Sequence, residues 1–145
     1  MAAKDFDTGL RVRKAVLGDD YVDRALANTD EFNKEFQTLL TEYCWGRVWG
    51  RSGLSRRQRS LNVLCMLAAL NRPQEFETHV RGAMRNGCTM AELRETFLQV
   101  AVYCGMPAGV EAFRIARKVF AEQKAAKRVT RSPQRRRQTS RMAKA

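Results

Sequence analysis

His79 is the only histidine among the 145 residues. An imidazole is the side chain whose unperturbed pKa lets it exchange a proton near neutral pH. Glu75 stands four residues earlier, one turn away on the same side of a helix. The pair offers a proton donor or acceptor with a carboxylate to orient it, which suits acid–base work. If buried, Glu75 would have a raised pKa and could itself be the acid. At a surface it would be an ordinary i,i+4 partner. Phe76, Val80, Ala83 and Met84 recur at helical spacing around the pair, and His79 borders their face. A lone histidine there is more often a satisfied core residue, so the residues alone leave both readings open.

The elements that must hold this cluster read as helices. Ser55 is a plausible N-cap ahead of residues 61–70, a run apolar all round except Asn62. Such a helix belongs in a core or at a subunit contact. Asn71-Arg72-Pro73 breaks it, and Pro73 suits the first turn of the next helix, which stops at Asn86-Gly87. Thr89-Met90-Ala91-Glu92 is a capping box. It opens a helix with Leu93, Phe97, Val100, Ala101 and Cys104 inward, ending at Gly105. Pro107 begins the last helix, with Val110, Phe113, Ala116 and Phe120 inward. Upstream, residues 8–17 read as a short helix stopping at Gly18, and Asp19-Asp20 starts a piece through Ala27. Asn28-Thr29-Asp30 offers cap chemistry. Phe32, Phe36, Leu39, Leu40 and Tyr43 then form a stripe of period 3.6. Cys44-Trp45-Gly46-Arg47-Val48-Trp49 reads as a loop with large anchors. No segment alternates with period two, so the expected architecture is all-α with about six or seven helices.

The length corresponds to one domain, and 44% hydrophobic residues suffice for a core. No apolar run approaches the ~20 residues that span a bilayer. The first five residues lead into no apolar segment, so no signal peptide is expected, and the default is a soluble cytoplasmic protein. Cys44, Cys65, Cys88 and Cys104 are widely spaced and form no CxxC. That disfavours zinc and redox sites and leaves small buried hydrophobes. The formal net charge is +12, of which residues 121–145, with nine Lys/Arg against one Glu, supply +8. The expected division is a helical domain over residues 1–122 and a basic, disordered tail over 123–145. Such a tail attracts nucleic acid or acidic surfaces only non-specifically.

Several short stretches recur in one order: Tyr43-Cys44-Trp45-Gly46, Arg51-Ser52-Gly53-Leu54, Arg57-Gln58-Arg59-Ser60-Leu61, Asn71-Arg72 with Glu75, His79-Val80-Arg81-Gly82-Ala83, Asn86-Gly87 and Tyr103-Cys104-Gly105-Met106-Pro107-Ala108. Together they resemble the gamma-carboxymuconolactone (4-carboxymuconolactone) decarboxylase family over about residues 6–120. Two positions depart from its pattern: Tyr43 stands where a histidine is frequent, and Ser52 replaces a usual proline. The basic tail is not part of the pattern. The related peroxidase branch carries CxxCxxxH, but Arg72 and Glu75 occupy its cysteine positions here, so a thiolate is missing.

The resemblance implies an alkylhydroperoxidase D-like helical bundle, a homo-oligomer (commonly a hexamer) and a step in protocatechuate degradation, the beta-ketoadipate pathway. The implied substrate is an unsaturated lactone bearing two carboxylates. Its own ring takes up the electrons released with CO2, so no cofactor or metal is required. For the reaction the resemblance implies, the candidate catalytic residues are His79, Glu75 and Arg59, and the candidates for binding substrate are Arg81, Trp45 and Tyr103. Arginines suit the carboxylates, His79 the oxyanion or the proton, and Trp45 and Tyr103 the pocket wall. The alternatives are a relative acting on another small acid, or a basic nucleic-acid-binding protein.

Overall fold

The computed structural model describes the backbone of residues 2–142 and the side chains of residues 4–130. In order come α1 (Ala2–Leu17), α2 (Asp19–Ala27) and α3 (Lys34–Leu39), which runs directly into a π-helical segment (Leu40–Trp49). Then follow α4 (Arg56–Ala69), α5 (Pro73–Arg85), α6 (Met90–Cys104) and α7 (Met106–Met142). No strand occurs among the described residues, in line with the all-α expectation.

Local chemistry explains where the later helices start. The Ser55 hydroxyl accepts from the Gln58 N–H, and the Gln58 side chain accepts from the Ser55 N–H. Thr89 and Glu92 close the same reciprocal box on α6. Each box satisfies backbone donors that a helix start leaves orphaned. Between α4 and α5, Asn71 turns with φ of 52°, a conformation asparagine tolerates better than most residues. Pro73 then sits in the first turn of α5.

The helices bury two apolar clusters. The larger joins α4 to α7 through Leu64, Phe76, Val80, Ala83, Leu93, Phe97, Ile115 and Val119. The smaller joins α1, α2 and the π segment through Val12, Val16, Leu17, Val22, Trp45 and Trp49. Helix α5 serves both. Phe76 and Val80 enter the first cluster, and Gly82 lies against Val16 of α1, where an added Cβ would meet the Val16 carbonyl oxygen at 3.0 Å.

One expectation is corrected. Residues 44–49 are not a loop; they complete the π segment. Gly46 looks like a breaker in the sequence but acts as a spacer, since a Cβ there would overlap the Asp5 carbonyl oxygen of α1. Gly9 makes the reciprocal approach, against the Thr41 carbonyl oxygen. These two residues let the backbones lie in contact, which holds the segment helical. The stripe Phe32, Phe36, Leu39 and Tyr43 is not core: these residues are 97%, 60%, 61% and 60% exposed. The buried face belongs instead to Thr41, Trp45 and Trp49, which pack toward α1. Helix α7 runs on past residue 122, through Met142. Side chains 124–130 are all exposed, so Ala, Lys, Arg and Gln propensity sustains that part without packing. Residues 143–145 lie outside the described residues.

Candidate active site

The seam between the two clusters holds a cavity of about 220 Å³. Its wall takes Arg13 and Leu17 from α1, Tyr21 from α2, and Leu40, Cys44, Trp45 and Trp49 from the π segment. Val63 of α4 and Glu75, Thr78 and His79 of α5 complete it. The volume falls below the ~300–1,000 Å³ of drug-sized sites, which suits a small acid.

His79 reaches this cavity because Phe76 and Val80 commit the adjacent face of α5 to the larger core. Its ring lies beside two indoles, 6.1 Å from Trp45 at an interplanar angle of 7° and 6.0 Å from Trp49 at 27°. The indoles are 5.0 Å apart. Desolvation among these rings pushes the imidazole pKa down to about 4, against a smaller upward pull from Glu75. His79 is therefore neutral at pH 7 and carries one N–H donor. Its Nδ1 is buried without a hydrogen-bond partner. A thiol also lines the cavity: burial raises the pKa of Cys44, which keeps it protonated.

Arg13 is the residue that sequence reasoning missed. It is only 4% exposed and is the one arginine in the cavity wall. One guanidinium nitrogen, Nη1, donates to Gln37 Oε1 at 3.0 Å and Thr41 Oγ1 at 3.2 Å. Its Nε is buried and unpartnered. Among the described residues no carboxylate forms an ion pair with it. Burial lowers its pKa, with Tyr21 and Cys44 opposing, yet a guanidinium remains protonated in proteins. A signal was present: Gly9, Val12, Arg13, Val16 and Leu17 share one helical face, so Arg13 interrupts an apolar stripe.

Of the six residues expected at a site, the fold brings His79, Glu75 and Trp45 to this cavity. Glu75 is exposed and so is not the buried acid that its spacing left open. Arg81 lies elsewhere, its Nη2 donating to Glu77 and Glu122 at 2.7 Å each. Two residues beyond His79 on a helix, it faces nearly the opposite way. Arg59 stands one turn before the lining residue Val63, outside the wall, and its Nη2 reaches the Arg51 carbonyl oxygen at 3.4 Å. Tyr103 is 81% exposed at the end of α6 and also lies outside.

The model of the carboxymuconolactone decarboxylase family matches residues 34–118. The chain is 47% identical over 115 residues to nitrosuccinic acid decarboxylase of Metarhizium robertsii, covering 79% of this chain and 80% of that one. It is 42% identical over 115 residues to 4-carboxymuconolactone decarboxylase of Acinetobacter baylyi, covering 79% and 86% respectively. A Pseudomonas putida 4-carboxymuconolactone decarboxylase matches at 49% over 41 residues, 28% of this chain and 85% of the relative. With this breadth of similarity, and a neutral imidazole lining a small cavity in an all-helical fold, the chain belongs to the carboxymuconolactone decarboxylase family.

Proposed function

We propose that this carboxy-lyase decarboxylates gamma-carboxymuconolactone to the beta-ketoadipate enol-lactone, a step in protocatechuate degradation. The carrying observation is His79, held neutral in a cavity sized for a small acid. The bond between the ring carbon and its carboxylate breaks, and CO2 leaves without the bonding pair. That pair delocalises through the ring double bond onto the lactone carbonyl oxygen. A neutral imidazole N–H stabilises the growing oxyanion best when water is excluded and the donor is preorganised. The two indoles supply the exclusion. A proton then returns to carbon, from His79 or through Glu75 at the cavity.

The similarity to the Metarhizium robertsii relative supports a second reading, decarboxylation of nitrosuccinic acid. The chemistry is parallel, since a nitro group accepts the electron pair as a lactone carbonyl does. Purified protein mixed separately with enzymatically generated carboxymuconolactone and with nitrosuccinate, followed by CO2 release, separates the two. Turnover of nitrosuccinate alone would overturn the first reading. His79→Ala should lower turnover roughly 100-fold, within the range for lost acid–base groups, with helicity unchanged by circular dichroism. We also propose self-association, for which the exposed Phe32, Phe36, Leu39 and Tyr43 supply an apolar face.

A further inference from the structure

We propose that Arg13 is a substrate-binding residue whose Nε–Nη2 edge grips the carboxylate that the substrate keeps, making the cavity selective for dicarboxylic acids. This rests on the decarboxylase reading for the reaction, but the anion site itself stands on geometry.

A buried guanidinium without a carboxylate is costly, because desolvation is not offset by an opposite charge. Arg13 is held in that state. Its Nη1 is fixed by Gln37 and Thr41, both neutral, and Thr41 is fully buried. Those two bonds set the orientation of the plane and leave the other edge free. Nε is buried with no partner, and no hydrogen bond from Nη2 occurs among the described residues. Two parallel N–H donors match the two oxygens of one carboxylate. Glu75 also lines the cavity, but among the described residues it forms no ion pair with Arg13. The missing anion must therefore come from outside the chain.

Which carboxylate it takes follows from the reaction. A carboxylate that departs as CO2 loses its negative charge in the transition state. An arginine paired with it would stabilise the ground state more and slow the step. An arginine paired with the retained carboxylate keeps its partner throughout and supplies binding and orientation. The substrates named for both relatives fit the requirement. Succinic acid derivatives carry two carboxylates, and so does the lactone, so each keeps one after losing CO2.

The test separates binding from chemistry. Succinate lacks any group that could take up an electron pair, so it binds without reacting. Calorimetric titration should show it binding the wild-type protein. Arg13→Gln should weaken that binding roughly 10- to 100-fold, the usual loss for charge-assisted hydrogen bonds. Arg13→Lys, which keeps the charge but not the fork, should fall between them, and it carries the test if the Gln variant does not fold. In turnover, both variants should raise KM far more than they lower kcat, whereas His79→Ala does the reverse. No succinate binding by the wild type, unchanged binding in the variants, or a loss confined to kcat would each overturn the proposal. If neither the lactone nor nitrosuccinate is turned over but succinate binding still depends on Arg13, the decarboxylase reading falls and the anion site stands.

Discussion

The α4–α7 bundle and the layer of α1, α2 and the π segment are built on opposite principles. In the bundle, apolar side chains meet apolar side chains: Phe76 and Phe97 lie 5.3 Å apart, tilted at 48°, and Phe97 and Phe113 meet edge-on at 5.9 Å. The buried Ser60 hydroxyl is answered within the chain, accepting from Asn86 Nδ2 at 2.9 Å. The other layer contains a guanidinium, two indoles and a cavity, and it meets His79 across the seam. Three buried side-chain polar atoms among the described residues have no partner: Arg13 Nε in this layer, and Arg59 Nε and His79 Nδ1 on the bundle helices α4 and α5. Native proteins satisfy nearly all buried polar groups, so unsatisfied ones mark strain, catalysis or an absent ligand. Two of the three, Arg13 and His79, meet at the cavity on the seam between the regions.

The contrast can be broken from either side. Phe97→Ala has the largest expected effect, a loss of about 3–5 kcal/mol from the cavity left in a tight core. Urea denaturation measures it, and a loss under about 1 kcal/mol would show the bundle is not the stable half. Acid tests the seam. The folded His79 pKa, near 4, lies below the ordinary 6.5, so in that window the unfolded chain binds more protons. Stability is then complete above pH 6.5 and declines as pH falls toward 4, by roughly 3 kcal/mol at most. In His79→Leu that part of the decline should vanish. An identical pH profile in the variant would mean the imidazole is not buried neutral. Gly9→Ala should act on the α1 crossing alone. Its Cβ overlaps the Thr41 carbonyl oxygen, so an expected loss of about 1–3 kcal/mol for overpacking should come with weaker succinate binding, since Thr41 also holds Arg13. Destabilisation with binding intact would uncouple the crossing from the site.

Much of the bundle was legible because its signals are local. The Ser55–Gln58 and Thr89–Glu92 boxes, the Pro73 start and the spacing of Phe76 and Val80 act within one or two turns, and each recurs in the fold. His79, Glu75 and Trp45 were also identifiable. Arg59, Arg81 and Tyr103 looked equally suitable, since nothing in their types says which way each faces. Arg81 was neutralised by Glu122, 41 residues away, a pairing no local pattern reveals. The stripe from Phe32 to Tyr43 had the right period, but apart from Leu40 its apolar side chains are exposed among the described residues. Arg13 precedes the residues matched by the family model; its break in the apolar face of α1 was legible, but its orientation is set by Gln37 and Thr41.

The starts of α4, α5 and α6, the absence of strands among the described residues and the family of this protein were legible in residue order alone, because capping, turn and periodicity preferences are short-range. Which arginine faces the cavity, how far the imidazole is desolvated and whether Gly46 breaks or spaces a helix were decided by tertiary structure. Those outcomes depend on distances between segments far apart in the chain, and on the water that their packing excludes.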